Sequence, residues 1–189
     1  MKRAALLCLL LASFSPGTLF AQMNYSAFEI NLADVDINQG PFNVDGDGFE
    51  IAGSYEVSDK IFVFGRWQDQ DLDFGIDGRK LEFGGGLHLP INDRLDFVAT
   101  LSYLDLEAEL GNLSADDDGL ALGAGVRGRV SDSVQVDLGL KLIDLDDSGS
   151  DTGITLGGRY YFTDRLAVAA GAEFTDDIDT FSVGFRAEF

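Results

Sequence analysis

Thr180-Phe-Ser-Val-Gly-Phe-Arg-Ala-Glu-Phe189 alternates without a break. Phe181, Val183, Phe185, Ala187 and Phe189 are apolar, and Thr180, Ser182, Gly184, Arg186 and Glu188 are polar or tiny. A period of two marks a strand with two different faces. About ten residues ending on an aromatic suit a strand that crosses a membrane as one stave of a β-barrel. Soluble sandwich strands share the alternation, so the decision rests on what the other strands place on each face.

Four earlier segments repeat one pattern: Val57-Ser-Asp-Lys-Ile61, Ile91-Asn-Asp-Arg-Leu95, Val130-Ser-Asp-Ser-Val134 and Phe162-Thr-Asp-Arg-Leu166. Each has an apolar residue on either side of turn formers, which reads as a tight hairpin turn. Longer and more variable connections are expected at the opposite end. Four such turns, with both termini on their side, predict ten strands near 27–37, 49–57, 61–73, 79–89, 95–110, 119–130, 134–146, 152–162, 166–175 and 180–189. The fold class is therefore all-β: a closed, antiparallel, up-and-down transmembrane barrel without free edges. Eight strands is the alternative, with two of these segments outside the barrel.

Counting by twos from the residue after each turn assigns the faces. The outward sets are Ile61, Val63, Gly65, Trp67; Leu95, Phe97, Ala99, Leu101, Tyr103; Val134, Val136, Leu138, Leu140, Leu142; and Leu166, Val168, Ala170, Ala172, Phe174. Phe49, Trp67, Tyr103, Phe174 and Phe181 fall at one rim, and Tyr160, Phe162 and Phe189 at the other, as two aromatic girdles. Inward fall the acids Glu29, Glu50, Glu56, Glu82, Asp96, Asp137, Glu173 and Glu188. Inward with them are the bases Arg66, Lys80, Arg127, Arg129, Lys141, Arg159 and Arg186, separated mostly by glycine. Near-balanced charge predicts a paired polar lumen, because an unpaired buried charge is costly. A soluble barrel would be apolar inside, so this inversion favours a membrane.

The N-terminus has Lys2 and Arg3, an apolar run from Ala4 to Ala12, and a small-residue site ending at Ala21. That is the form of a secretory signal peptide over 1–21, leaving 22–189 as one barrel domain. Cys8, the only cysteine, lies inside the leader, so no disulfide or thiol chemistry is expected. The formal charge of −20 becomes −22 without the leader, which carries two bases and no acid. Phosphate would be repelled by such a surface, so no nucleic-acid partner is expected.

Most of the surplus acid gathers at the end opposite the tight turns, with Arg79 the one base among it. Asp34, Asp36, Asp69, Asp71, Asp73, Asp105, Glu107, Glu109, Asp144 and Asp146 continue the outward parity past the aromatic rim. Between them Val35, Ile37, Leu72, Phe74, Leu104, Leu106, Ile143 and Leu145 point inward, as a small apolar lining above the lumen. Anionic lipopolysaccharide beside such a belt calls for loosely bound Ca²⁺ or Mg²⁺ as a bridge, and no other cofactor is expected. Asn43, Asp45, Asp47 and Gly48 match the opening of an EF-hand-type calcium loop. Ser54, however, stands where the bidentate glutamate belongs, so Asp45 and Asp47 are weak metal candidates and a plain turn is favoured.

With its export signal, repeated hairpins and closing Phe189, the chain resembles small porin-like outer-membrane β-barrels of the OmpX and OmpA membrane-domain class. The run Val44-Asp-Gly-Asp-Gly-Phe-Glu-Ile-Ala-Gly-Ser-Tyr55, followed by Ile61-Phe-Val-Phe-Gly65, more narrowly resembles outer-membrane barrels regulated by diffusible signal factor. That resemblance implies ten strands, no enzymatic activity, and a last strand with Phe189 that serves as the signal for the barrel-assembly machinery. The implied location is the outer membrane of a Gram-negative envelope, with outer-membrane lipid and lipopolysaccharide as partners and a monomeric state.

Barrel hydrolases need His with Asp or Ser near the outer rim or in the lipid. His88, the only histidine, falls inward near the tight-turn end, and reads as a lumenal hydrogen-bonding residue. The expected role is non-enzymatic, in envelope structure or surface interaction. A narrow porin or hydrophobic-solute channel is the alternative.

Overall fold

A computed structural model describes residues 23–39 and 42–189. The expected leader, with Cys8, lies outside the described residues. Ten strands follow in order: β1 (Ala27–Gln39), β2 (Phe42–Ser58), β3 (Ile61–Leu72), β4 (Ile76–Asn92), β5 (Leu95–Leu110), β6 (Leu113–Ser131), β7 (Val134–Leu145), β8 (Gly149–Tyr161), β9 (Leu166–Phe174) and β10 (Ile178–Glu188). Each pairs antiparallel with its sequence neighbours, and β10 pairs β1, so the sheet closes as an up-and-down barrel. All ten segments are staves, which excludes the eight-strand alternative.

The tight turns fall where the repeated motif places them. At three of them the register slips by one residue, between Glu56 and Ser58, Pro90 and Asn92, and Arg129 and Ser131. The skipped residues, Val57, Ile91 and Val130, are the apolar heads of the motif, and each is more than half exposed on the outside. A bulge adds one residue to one strand. Here it turns an apolar side chain outward just before the chain reverses.

The opposite end differs from expectation. Its connections are not long; the strands run on until two or three residues suffice to reverse the chain. β2 starts at Phe42 and β6 at Leu113, about three pleats earlier than the alternation suggested. Backbone pairing carries these extensions: Asp45 faces Asp36 and Asp47 faces Asp34, while Val44 pairs Ile37 and the intervening Gly46 pairs Val35 on the inner face. Phe74 also departs from its assignment. It sits in the single 3₁₀ turn Asp73–Gly75 with φ of 67°, and is 79% exposed rather than part of the apolar lining.

At the closing seam, Gly184 of β10 pairs Asn31 of β1. A Cβ there would lie 2.6 Å from the Asn31 Cα, a backbone atom that cannot swing aside. Gly184→Ala is expected to destabilise the barrel by about 1–3 kcal/mol, the usual cost of overpacking. The change would show as a lower temperature for loss of the compact electrophoretic form.

Candidate functional site

The barrel wall sends its charged side chains inward from strands where glycine, alanine, serine and threonine occupy neighbouring inward positions. Midway along the lumen, Arg66 of β3 lies 3.3 Å from Glu50 and 3.6 Å from Glu82. Lys141 of β7 reaches across to Glu82 at 3.1 Å and Glu173 at 3.6 Å, and Lys80 approaches Glu173 at 3.7 Å. Asn31 donates to Glu50 and Ser102 to Glu82. These six charges thus form one network across five strands.

A second network lies toward the tight turns. Arg127 Nε is 2.5 Å from Asp137, whose other oxygen takes Arg159. Arg159 approaches Glu29 at 3.8 Å, and Arg186 bonds the same carboxylate. Arg186 Nε also donates to Glu188 at 3.0 Å, and Tyr161 donates to Glu188 at 2.5 Å. Cations and anions alternate along this chain, so each charge has an opposite neighbour in a site that excludes much of the solvent. Arg129 makes no ion pair among the described residues. Glu56 faces His88 Nε2 at 3.5 Å rather than a base. Asp96 likewise meets His88 and the Tyr25 hydroxyl and, among the described residues, no base, so these three assigned members stand outside both networks.

Below the second network the lumen is stopped by residues that are not barrel wall. Met23–Ser26 precede β1, and Met23 and Tyr25 are 5% and 1% exposed. Tyr25 stacks on His88 at 4.0 Å and on Phe62 at 5.0 Å between ring centroids. Its hydroxyl donates to Asp96 at 2.9 Å, and the Arg127 guanidinium lies over its ring at 4.6 Å. His88 is inside, as parity requires, but neither ring nitrogen makes a hydrogen bond; it is held by stacking and by Glu56 and Asp96 at 3.5 Å. Nothing in the sequence marked this stopper. Four residues are too few for a period, and the contact from Tyr25 to Asp96 spans 71 positions.

Between the stopper and the central network lies a cavity of about 350 Å³. Tyr25 and Phe62 form part of its floor, Arg66, Lys80 and Glu173 reach it from the far side, and Thr100, Thr155 and Ser182 line its wall. The apolar residues nearer the other end do not line it. Ala33, Val35, Leu104 and Ala121 are the buried apolar residues there.

Outside, the two faces are the reverse of a soluble barrel. Ile30, Leu32, Leu101, Leu122, Leu138, Leu140, Ile154, Val183 and Phe185 are all at least 47% exposed. Aromatic pairs cap this belt at the acidic end: Phe49 with Trp67, Phe83 with Tyr103, and Phe174 with Phe181. Tyr55, Tyr160, Phe162 and Phe189 mark the other rim, each more than half exposed. A closed barrel with an apolar belt between aromatic rims and a charged interior is built to span a bilayer.

Beyond the belt, acids face acids across the ladder. Asp36 stands between Asp45 and Asp179, and Asp47 between Asp34 and Asp71. Partial loss of solvent, and then the carboxylates of Asp45 and Asp34, raise the Asp36 carboxyl above its usual range. The Asn43–Ser54 run lies wholly within β2, so its side chains point alternately to opposite faces and cannot wrap an ion as an EF-hand loop does. No group of three or more metal-ligating side chains is assembled among the described residues.

One acid has the opposite tendency. Asp117 accepts hydrogen bonds from Ser148 and from the backbone N–H groups of Asp147 and Ser148, which hold its carboxyl below the usual range. A depressed carboxyl stabilises its contacts above the unfolded pKa, and that contribution is lost as pH falls through the folded value. Asp117→Asn at neutral pH should therefore reproduce the acid state. Amide protection of Asp147 and Ser148 is expected to fall to the level of the native protein under acid, as read by hydrogen exchange.

No family model and no curated protein sequence matches the chain. Among solved structures the barrel is similar to the translocator domain of the autotransporter NalP from Neisseria meningitidis, at 9% identity over 89% of this chain and 90% of that one, with a TM-score of 0.52. The fold is that of the outer-membrane β-barrels. Similarities to Ail, the attachment invasion locus protein of Yersinia pestis (16% identity, 88% and 99% coverage, TM-score 0.45), and to NanC porin (9%, 87% and 100%, 0.48) are weaker in geometry. At these identities the likeness concerns the fold.

Proposed function

We propose that this chain is a non-enzymatic, integral outer-membrane protein whose lumen is closed at rest, and that it acts in envelope structure or at the cell surface. The observation that carries this reading is the stopped lumen: Tyr25 fills the mouth at the tight-turn end, beneath a cavity that both ionic networks border. A structural or surface role needs the barrel and its outer face, and needs no through-path. The tight turns and both ends of the barrel chain face the periplasm, and the acidic hairpin ends face outward, the arrangement usual for this fold. Phe189, 65% exposed at the lower rim, is available to the assembly machinery.

The acidic belt is the surface with which the barrel meets lipopolysaccharide. Facing rows of carboxylates beside anionic headgroups repel unless divalent cations lie between them. Mg²⁺ or Ca²⁺ held loosely there would join the belt to the lipid. Chelator should then lower both the thermal stability of the barrel and its retention of lipopolysaccharide. A barrel that keeps both in excess chelator has no such bridge.

The closed reading is tested by planar-bilayer recording on refolded residues 22–189, with and without Mg²⁺. A folded, heat-modifiable barrel is expected to be silent. Discrete, reproducible steps from the native protein would overturn it.

A further inference from the structure

We infer that Met23–Ser26 is a gate, and that its withdrawal opens the lumen to inorganic ions and other small polar solutes. The inference builds on the closed resting state proposed above.

The stopper is attached differently from the rest of the lumen. Both ionic networks are rooted in the staves, so opening them would disturb the wall. Met23–Ser26 belongs to no strand. Its backbone carbonyls at Asn24 and Ser26 meet Arg186 and Phe189 at the seam, and the Asn24 side-chain amide and Ser26 hydroxyl bond the Phe189 carbonyl and the Glu56 N–H. Among the described residues Tyr25 itself is held through its side chain: the stacks on His88 and Phe62, the bond to Asp96 and the guanidinium of Arg127. Such a side chain can leave as a unit with the barrel intact.

The space behind it is suited to passage rather than to packing. The cavity of about 350 Å³ begins at Tyr25, and small residues, among them Gly125, Gly157, Ala170, Thr155 and Ser182, line much of its wall. Charged groups project into it without filling it: the Arg66 side chain is 36% accessible and Lys80 24%, against 5% for Glu82 and 11% for Glu50. A solute there meets these charged groups beside an apolar stretch of wall from Phe62, Phe64 and Val98. The cavity volume sets the size class at ions and small solutes.

The experiment compares native protein with Tyr25→Ala and Tyr25→Leu, each purified as a folded, heat-modifiable barrel and recorded in potassium chloride. Tyr25→Ala should give discrete current steps where the native protein gives none. Adding p-cresol, which restores a phenol to the vacated place against His88, Phe62 and Asp96, should suppress those steps, and toluene should do so less well. Tyr25→Leu keeps bulk but loses the hydroxyl and the ring, so it should flicker open. It decides the matter if Tyr25→Ala does not fold. Silence from the folded variants would overturn the gate while leaving the closed barrel in place. Steps from the native protein as frequent as those from the variants would overturn both.

Discussion

Lys141→Met is expected to destabilise the barrel by about 3–5 kcal/mol, the range for removing one partner of a buried ion pair. Lys141 lies between Glu82 and Glu173 with its side chain 9% exposed, and Glu82 is 5% exposed. Without it, Arg66 and Lys80 face three acids, Glu50, Glu82 and Glu173. Methionine fills the same length and cannot hydrogen-bond to either carboxylate, so the cost arises from the charges left behind and not from a void. Glu82→Gln in the same chain restores two bases to two acids and should recover more than half of the loss. Trp67 is the only tryptophan and sits at the aromatic rim, so its emission reports unfolding in urea from lipid vesicles. If Lys141→Met unfolds within about 1 kcal/mol of the native barrel, the central network is hydrated and contributes little.

Alternation made the barrel legible in the sequence, because lipid on one side and a polar lumen on the other impose opposite demands on neighbouring residues. Ile61, Val63, Leu138, Leu140 and Val183 could be placed outside, and Glu82, Lys141 and Arg186 inside, from parity alone. Which charge meets which could not be read the same way. Glu82 and Lys141 are 59 residues apart, on strands that are not neighbours, and their meeting depends on the bore and shear of the closed sheet. The hairpins at the acidic end are longer than the sequence suggests because Asp45, Asp47 and Asp116–Asp118 resemble solvated loops, yet backbone pairing continues beneath exposed carboxylates. Tyr25 was invisible for another reason. A short segment before the first strand has no period, and its partners come from β3, β4, β5 and β6.

Arg186 joins the features that parity revealed to those it did not. From β10 it bonds Glu29 on β1, Glu188 on its own strand, and the Asn24 carbonyl that precedes β1. The side chain is 4% exposed, and three different nitrogens serve three acceptors. Only a planar fork with several fixed donors can do this; an ammonium is a single point. Arg186→Lys keeps the charge and should still cost about 1–3 kcal/mol, through acceptors left unpaired. Arg186→Met leaves Glu29 with Arg159 alone at 3.8 Å and Glu188 with Tyr161, and should cost about 3–5 kcal/mol. The loss should concentrate at the β1–β10 seam, with faster amide exchange at Ala27–Asn31 and Gly184–Glu188 than elsewhere in the barrel. A lysine variant indistinguishable from native would mean that charge alone closes the seam, and the fork to Asn24 is incidental. A uniform rise in exchange around all ten strands would mean that Arg186 supports the barrel as a whole and not its closure.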